Sequence, residues 1–74
     1  MFFRKKSRKA KHTNLRLGDG GDRVRDLQIK LGGITISGEF SIQTQQKLRL
    51  VQSRLGLEPT GQLDEATAGK LGLK

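Results

Sequence analysis

Three stretches of the chain place apolar residues on one side of a helix, and the first two are closed by glycines, Gly32-Gly33 and Gly56. In the first, Val24, Leu27 and Leu31 stand at relative positions 0, +3 and +7, which predicts a helix over 22–31 with those three facing inward. Arg23, Arg25, Asp26 and Lys30 then fall largely on the wet side, and an Asp26–Lys30 pair at i,i+4 would contribute only ~0.3 kcal/mol. In the second, Leu48, Val51 and Leu55 share one face of a helix predicted over 42–55. Ser41 sits where its N-cap belongs and Gly56 where it must stop, with Leu57 placed to fold back onto the last turn. The third, predicted over 65–71, has Asp64 as N-cap, Glu65 and Thr67 in its first turn, and Ala66, Ala68 and Leu71 for contact. At some two turns it cannot stand alone in water and has to be docked.

The segments between these helices are glycine turns and short extended links. Leu15-Arg16-Leu17 alternates and runs into Gly18-Asp19-Gly20-Gly21. Those glycines lack the lysine and hydroxyl of a phosphate loop, and the aspartates lack the alternating oxygen ligands of a calcium loop, so the segment reads as a flexible turn before a helix. Asp22 would lie in the first turn of that helix, where a carboxylate favours the exposed N–H groups. Ile34-Thr35-Ile36 is β-branched and alternating, hence extended, and leads through Ser37-Gly38 into Phe40. Glu58-Pro59-Thr60-Gly61 is a turn, since proline fixes one torsion and glycine supplies the unusual one. Leu63 follows it as Phe40 follows the earlier one.

Set beside each other, these passages form an internal repeat. Val24, Leu27, Gln28, Leu31 and Gly32 match Leu48, Val51, Gln52, Leu55 and Gly56 at an offset of 24. Past the loop the offset becomes 23, so that Gly38, Phe40, Ser41, Thr44, Lys47 and Leu48 match Gly61, Leu63, Asp64, Thr67, Lys70 and Leu71. The central helix ends one unit and begins the other. The expected fold is therefore all-α: a small three-helix bundle built from two repeats that share their middle helix.

Composition adds an arm to this picture. The chain has 74 residues, no cysteine and a net charge of +8. Such a length allows one small domain that buries only ~60% of the surface its unfolded form exposes, held by packing and caps without disulfides. Residues 1–14 carry Arg4, Lys5, Lys6, Arg8, Lys9 and Lys11 with no acid, whereas the remaining sixty residues carry nine bases against seven acids. The division expected is a basic N-terminal arm over 1–14 and a nearly balanced helical domain over 15–74. The six cations, with Phe2 and Phe3 as anchors, suit an acidic protein partner, an anionic polymer or nucleic acid. Nucleic-acid binding would be non-specific, because the link between the first two helices spans about ten residues rather than the three or four of a helix-turn-helix. No apolar run approaches the ~18 residues of a membrane span, and none resembles a secretory signal, so the chain is expected to be made in the cytoplasm.

Chemistry is sparse. The single histidine, His12, lies in the arm, and the domain offers no thiol, no metal-ligand cluster and no serine paired with a base. Asp22 and Asp26 stand one turn apart among arginines, as an exposed acidic pair does. No catalytic residue, metal or cofactor is expected.

The ordered motifs over 15–73 resemble the peptidoglycan-binding domain of bacterial and phage cell-wall hydrolases. That family shows a leucine-rich lead with a glycine turn, here Leu15-Arg16-Leu17-Gly18, then a helix with a leucine-glutamine pair, here Leu27-Gln28. Its aspartate-glycine, aromatic and threonine run is matched by Ser37-Gly38-Glu39-Phe40 and Thr44. Its aromatic-glutamine pair, glycine-leucine and closing turn fall on Val51-Gln52, Gly56-Leu57 and Gly61-Gln62-Leu63-Asp64-Glu65-Ala66-Thr67. Ser37 replaces the usual aspartate, Ser41 the usual glycine and Val51 the usual aromatic, and the chain has neither Trp nor Tyr.

The resemblance implies a three-helix, non-catalytic module whose ligand is peptidoglycan glycan or stem peptide. The ligand would lie in the groove between the helices on Arg25, Gln28, Thr44, Gln45 and Arg49. In the family's hydrolases the chemistry resides in a separate domain. A stand-alone module of this kind suggests a phage-associated protein. The alternative is a structural or adaptor protein of a virion, using the same fold for docking and the arm to hold a partner protein.

Overall fold

A computed structural model describes residues 14–73 of the chain and contains three α-helices. They are α1 (Asp22–Leu31), α2 (Ile42–Arg54) and α3 (Glu65–Leu71). Among the described residues there is no strand, only two isolated antiparallel pairings, so the fold is all-α. The arm lies outside the described residues except for Asn14.

The helix starts follow from their capping residues. Ser41 Oγ accepts the Thr44 N–H at 3.3 Å and Asp64 Oδ1 accepts the Thr67 N–H at 2.8 Å, each satisfying a donor that the first turn leaves orphaned. At α1 the cap is Gly21, which contributes no side chain. At the end of α2 the Leu57 N–H reaches back to the Gln52 carbonyl at 2.8 Å, with Gly56 at φ 77°, and Leu73 repeats the arrangement on Ala68 at 2.8 Å past Gly72 at φ 74°. The first is the glycine-closed end that the sequence predicts, and the second has the same form. The helix ends at Arg54, with Leu55 as its C-cap.

The core gathers Leu15, Val24, Leu27, Leu31, Phe40, Leu48, Leu63, Ala68 and Leu73, with Ile34, Val51 and Leu71 packed against it. Phe40 and Leu63, the two anchors, are both buried. Three details differ from the periodicity. Ala66 is exposed, because Ala68 and Thr67 occupy the inward side of α3. Leu55 is only half-buried, and Thr44 and Gln52 occupy the interior of α2 beside Leu48. Leu17 points outward while Leu15 is buried, since the chain turns at 16–19, where the Asp19 N–H bonds the Arg16 carbonyl at 3.0 Å.

Residues 14–21 form a strap across both anchor loops. Leu15 pairs with Leu63, accepting the Leu63 N–H at 2.8 Å, and the Asn14 N–H bonds the Leu63 carbonyl. Further along, Phe40 donates its N–H to the Asp19 carbonyl at 2.8 Å, Gly18 donates to the Phe40 carbonyl at 3.0 Å, and Gly21 donates to the Gly38 carbonyl at 2.9 Å. The strap satisfies backbone groups that the buried loops could not otherwise pair.

Candidate functional site

Each repeat carries a buried glutamine that grips the loop ahead of the next helix. On α1, Gln28 is fully buried; its Oε1 accepts the Gly38 N–H at 2.8 Å, and its Nε2 donates to the Glu39 carbonyl at 2.9 Å and to Thr44 Oγ1 at 3.0 Å. On α2, Gln52 does the same: Oε1 accepts the Gly61 N–H at 3.0 Å, and Nε2 donates to the Gln62 carbonyl at 2.8 Å and to Thr67 Oγ1 at 3.1 Å. A backbone donor on one side and a backbone acceptor on the other fix the orientation of both amides. Ser37 and Thr60 tighten their loops by accepting the N–H two residues on, at 3.1 and 3.2 Å.

These contacts decide what is available to a ligand. Gln28 and Thr44, which the resemblance nominated for ligand contact, are wholly buried and spend their hydrogen bonds inside the domain. Their role in the structure is to hold the first loop against the start of α2. Arg25 and Arg49 are exposed and Gln45 is half-buried, so these three remain at the surface. No pocket opens among the described residues, and the surface that carries them is open rather than a cleft.

The two arginines are themselves related by the repeat. Arg25 precedes Gln28 by three residues as Arg49 precedes Gln52, which brings each to the same side of its helix as the loop that the glutamine holds. Each guanidinium lies over the loop glycine. Arg25 Nη2 is 3.2 Å from where a Cβ on Gly38 would be, and Arg49 Nε is 2.8 Å from where a Cβ on Gly61 would be, with Gln45 Cγ at 2.9 Å from the same point. Both glycines are buried with positive φ, 86° and 78°. A side chain at either place would meet both backbone strain and a neighbour, which is why the sequence repeats glycine there. The surroundings differ: Asp22 Oδ1 pairs with Arg25 Nη1 at 3.1 Å, whereas the repeat counterpart of Asp22 is Gln46.

Among the described residues no cluster of three or more His, Asp or Glu side chains could hold a metal, and no helix is long and apolar enough to cross a membrane. Phe40 is the one aromatic among them and it is buried, so they present no exposed ring.

The sequence signal for the clamps was the repeated glutamine with its glycine and threonine partners. The resemblance nominated Gln28 and Thr44 for a ligand, and both are buried within the clamp. Gln46 and Gln62 are also exposed; Gln46 takes the acid's place in the repeat, and Gln62 occupies the second glycine loop.

Searches of curated proteins and of solved structures return no significant match. A protein-family model for the peptidoglycan binding domain matches residues 20–71, a span that contains α1, both clamps, α2 and α3. The chain belongs to the peptidoglycan binding domain family.

Proposed function

We propose that this chain acts as a non-catalytic module that holds bacterial peptidoglycan on the exposed surface around Gln45 and Arg49, in the manner of the modules that accompany bacterial and phage wall hydrolases. The observation that carries the reading is the family match over 20–71, which takes in both repeats and the elements that position these residues. Co-sedimentation of the full chain with purified sacculi tests it. Retention in the pellet at moderate salt is expected, and a protein that stays in solution even at low salt contradicts the reading.

A second reading is favoured by one specific observation: the described residues expose no aromatic ring on which a sugar could stack. In that reading the fold is a docking block of a phage particle, and the basic arm, with Phe2, Phe3 and its six cations, holds a partner protein. Removing residues 1–13 is then expected to abolish assembly while leaving the domain folded. Unchanged incorporation into particles would eliminate it. Non-specific attraction of nucleic acid to the arm would appear instead as retention that falls steeply with salt.

A further inference from the structure

The repeat places two guanidinium groups by the same device but leaves their charges in different states. Arg25 is paired with Asp22 at 3.1 Å. Arg49 has Gln46 where Arg25 has that acid, and among the described residues it makes no ion pair. It is nevertheless placed rather than loose, because its Nε and Cγ lie against Gly61, 2.8 and 3.3 Å from where that residue's Cβ would stand, and Gln45 packs on the same glycine. Gln46, one turn before Arg49 on the exposed side of α2, and the exposed Gln62 in the loop add amide side chains to the same unit. The first repeat thus offers an arginine already engaged by a neighbouring carboxylate, and the second offers one with no acid partner among the described residues, set among amides.

That asymmetry bears on which part of the wall polymer is recognised. The glycan strand of peptidoglycan is neutral, and its free carboxylates lie on the stem peptides, which also carry amide groups. A guanidinium without an acid partner presents a planar fork of donors suited to a carboxylate, and amide side chains suit a peptide backbone. Sugar rings instead favour an aromatic face, and the only aromatic among the described residues is buried. We infer that Arg49, supported by Gln45 and Gln46, recognises a carboxylate of the peptidoglycan stem peptide, and that Arg25 does not take part in this contact. The inference rests on the wall-binding reading and narrows it from the polymer to its peptide.

The test compares the full chain with Arg49→Gln and Arg25→Gln for retention on purified sacculi stripped of other anionic polymers, at ~150 mM salt so that diffuse attraction is screened. Each variant is also measured on sacculi whose carboxylates have been converted to amides. Both substitutions are at exposed positions, and thermal melting of each variant reports whether the fold is kept. Arg49→Gln is expected to weaken retention about tenfold, the loss of one charge-assisted hydrogen-bonded contact, while Arg25→Gln stays within about twofold. Amidated sacculi should hold the parent chain no better than native sacculi hold Arg49→Gln, and amidation should cost Arg49→Gln nothing further. Equal losses from the two variants, or full retention on amidated sacculi, would overturn the assignment to Arg49 while leaving wall binding intact. Failure of the parent chain to bind native sacculi would overturn the wall-binding reading, and this inference with it.

Discussion

The side-chain amide of Gln28 on α1 bonds the Gly38 N–H at 2.8 Å and Thr44 Oγ1 at 3.0 Å, joining the first helix, the loop and the start of the second helix through one residue. Gln52 repeats the connection to Gly61 and Thr67 at 3.0 and 3.1 Å. In a domain this small, where apolar burial leaves a margin of a few kcal/mol, such fully satisfied polar joints fix which loop conformation the apolar core closes on.

Replacing Gln28 by Met keeps the volume and removes the hydrogen bonds, stranding the buried Gly38 N–H. The expected loss is ~1–3 kcal/mol, read as a lower urea midpoint with an unchanged slope. Gln52→Met should cost a similar amount, since the geometry is the same. Gln28→Glu adds a sign test. Its carboxylate could not donate to Thr44 or to the Glu39 carbonyl, so burial would raise its folded-state pKa above the unfolded value. The variant should then gain stability as pH falls through that raised pKa, where the protonated form restores a donor.

The two side-chain caps are predicted to act independently. Ser41→Ala and Asp64→Ala should each cost ~1 kcal/mol by denaturant unfolding, and the double variant should show nearly the sum. A deficit well below the sum would mean that the two helix starts are energetically linked.

Gly56 and Gly61 separate backbone strain from crowding. Both have positive φ, 77° and 78°, but a Cβ on Gly56 meets nothing within 4 Å, whereas one on Gly61 meets Arg49 and Gln45 at under 3 Å. Gly56→Ala is expected to cost ~1 kcal/mol from strain, and Gly61→Ala at least ~1 kcal/mol more from displaced neighbours. Combining Gly61→Ala with Arg49→Ala should recover part of that excess, and a double-mutant cycle measures how much.

The strap predicts where the chain can be shortened. Leu15 is buried and paired with Leu63, so Leu15→Ala should cost ~2–3 kcal/mol, whereas removal of residues 1–13 should leave the thermal transition nearly unchanged. A large loss of stability on that truncation would show that the arm packs on the domain.

Much of this architecture was legible in the sequence because its signals are local. The bounds of α1 and α3, the two side-chain caps and the glycine stops follow from capping chemistry and from the 3.6-residue period. The repeat itself followed from counting offsets. What the pattern could not assign was the direction in which polar side chains point. Gln28 and Thr44 look the same in a sequence whether they face a ligand or a loop backbone, and only the fold brings the Gly38 N–H and the Glu39 carbonyl to the Gln28 amide. Leu17 shows a related limit: it alternates with Leu15, but the turn at 16–19 sends it outward. The unequal surroundings of Arg25 and Arg49 come from the fold, which sets Asp22 beside Arg25 and lays each arginine over its loop glycine.

The central claim, that the exposed surface of the second repeat meets the wall polymer, is tested most directly by following the backbone amide resonances of the full chain during titration with soluble peptidoglycan fragments that carry intact stem peptides. The account predicts progressive, saturable shifts concentrated at Gln45, Gln46, Arg49, Gly61 and Gln62, with Leu15, Val24 and Leu27 unmoved. A spectrum that does not change, or shifts confined to residues 1–13, would contradict it.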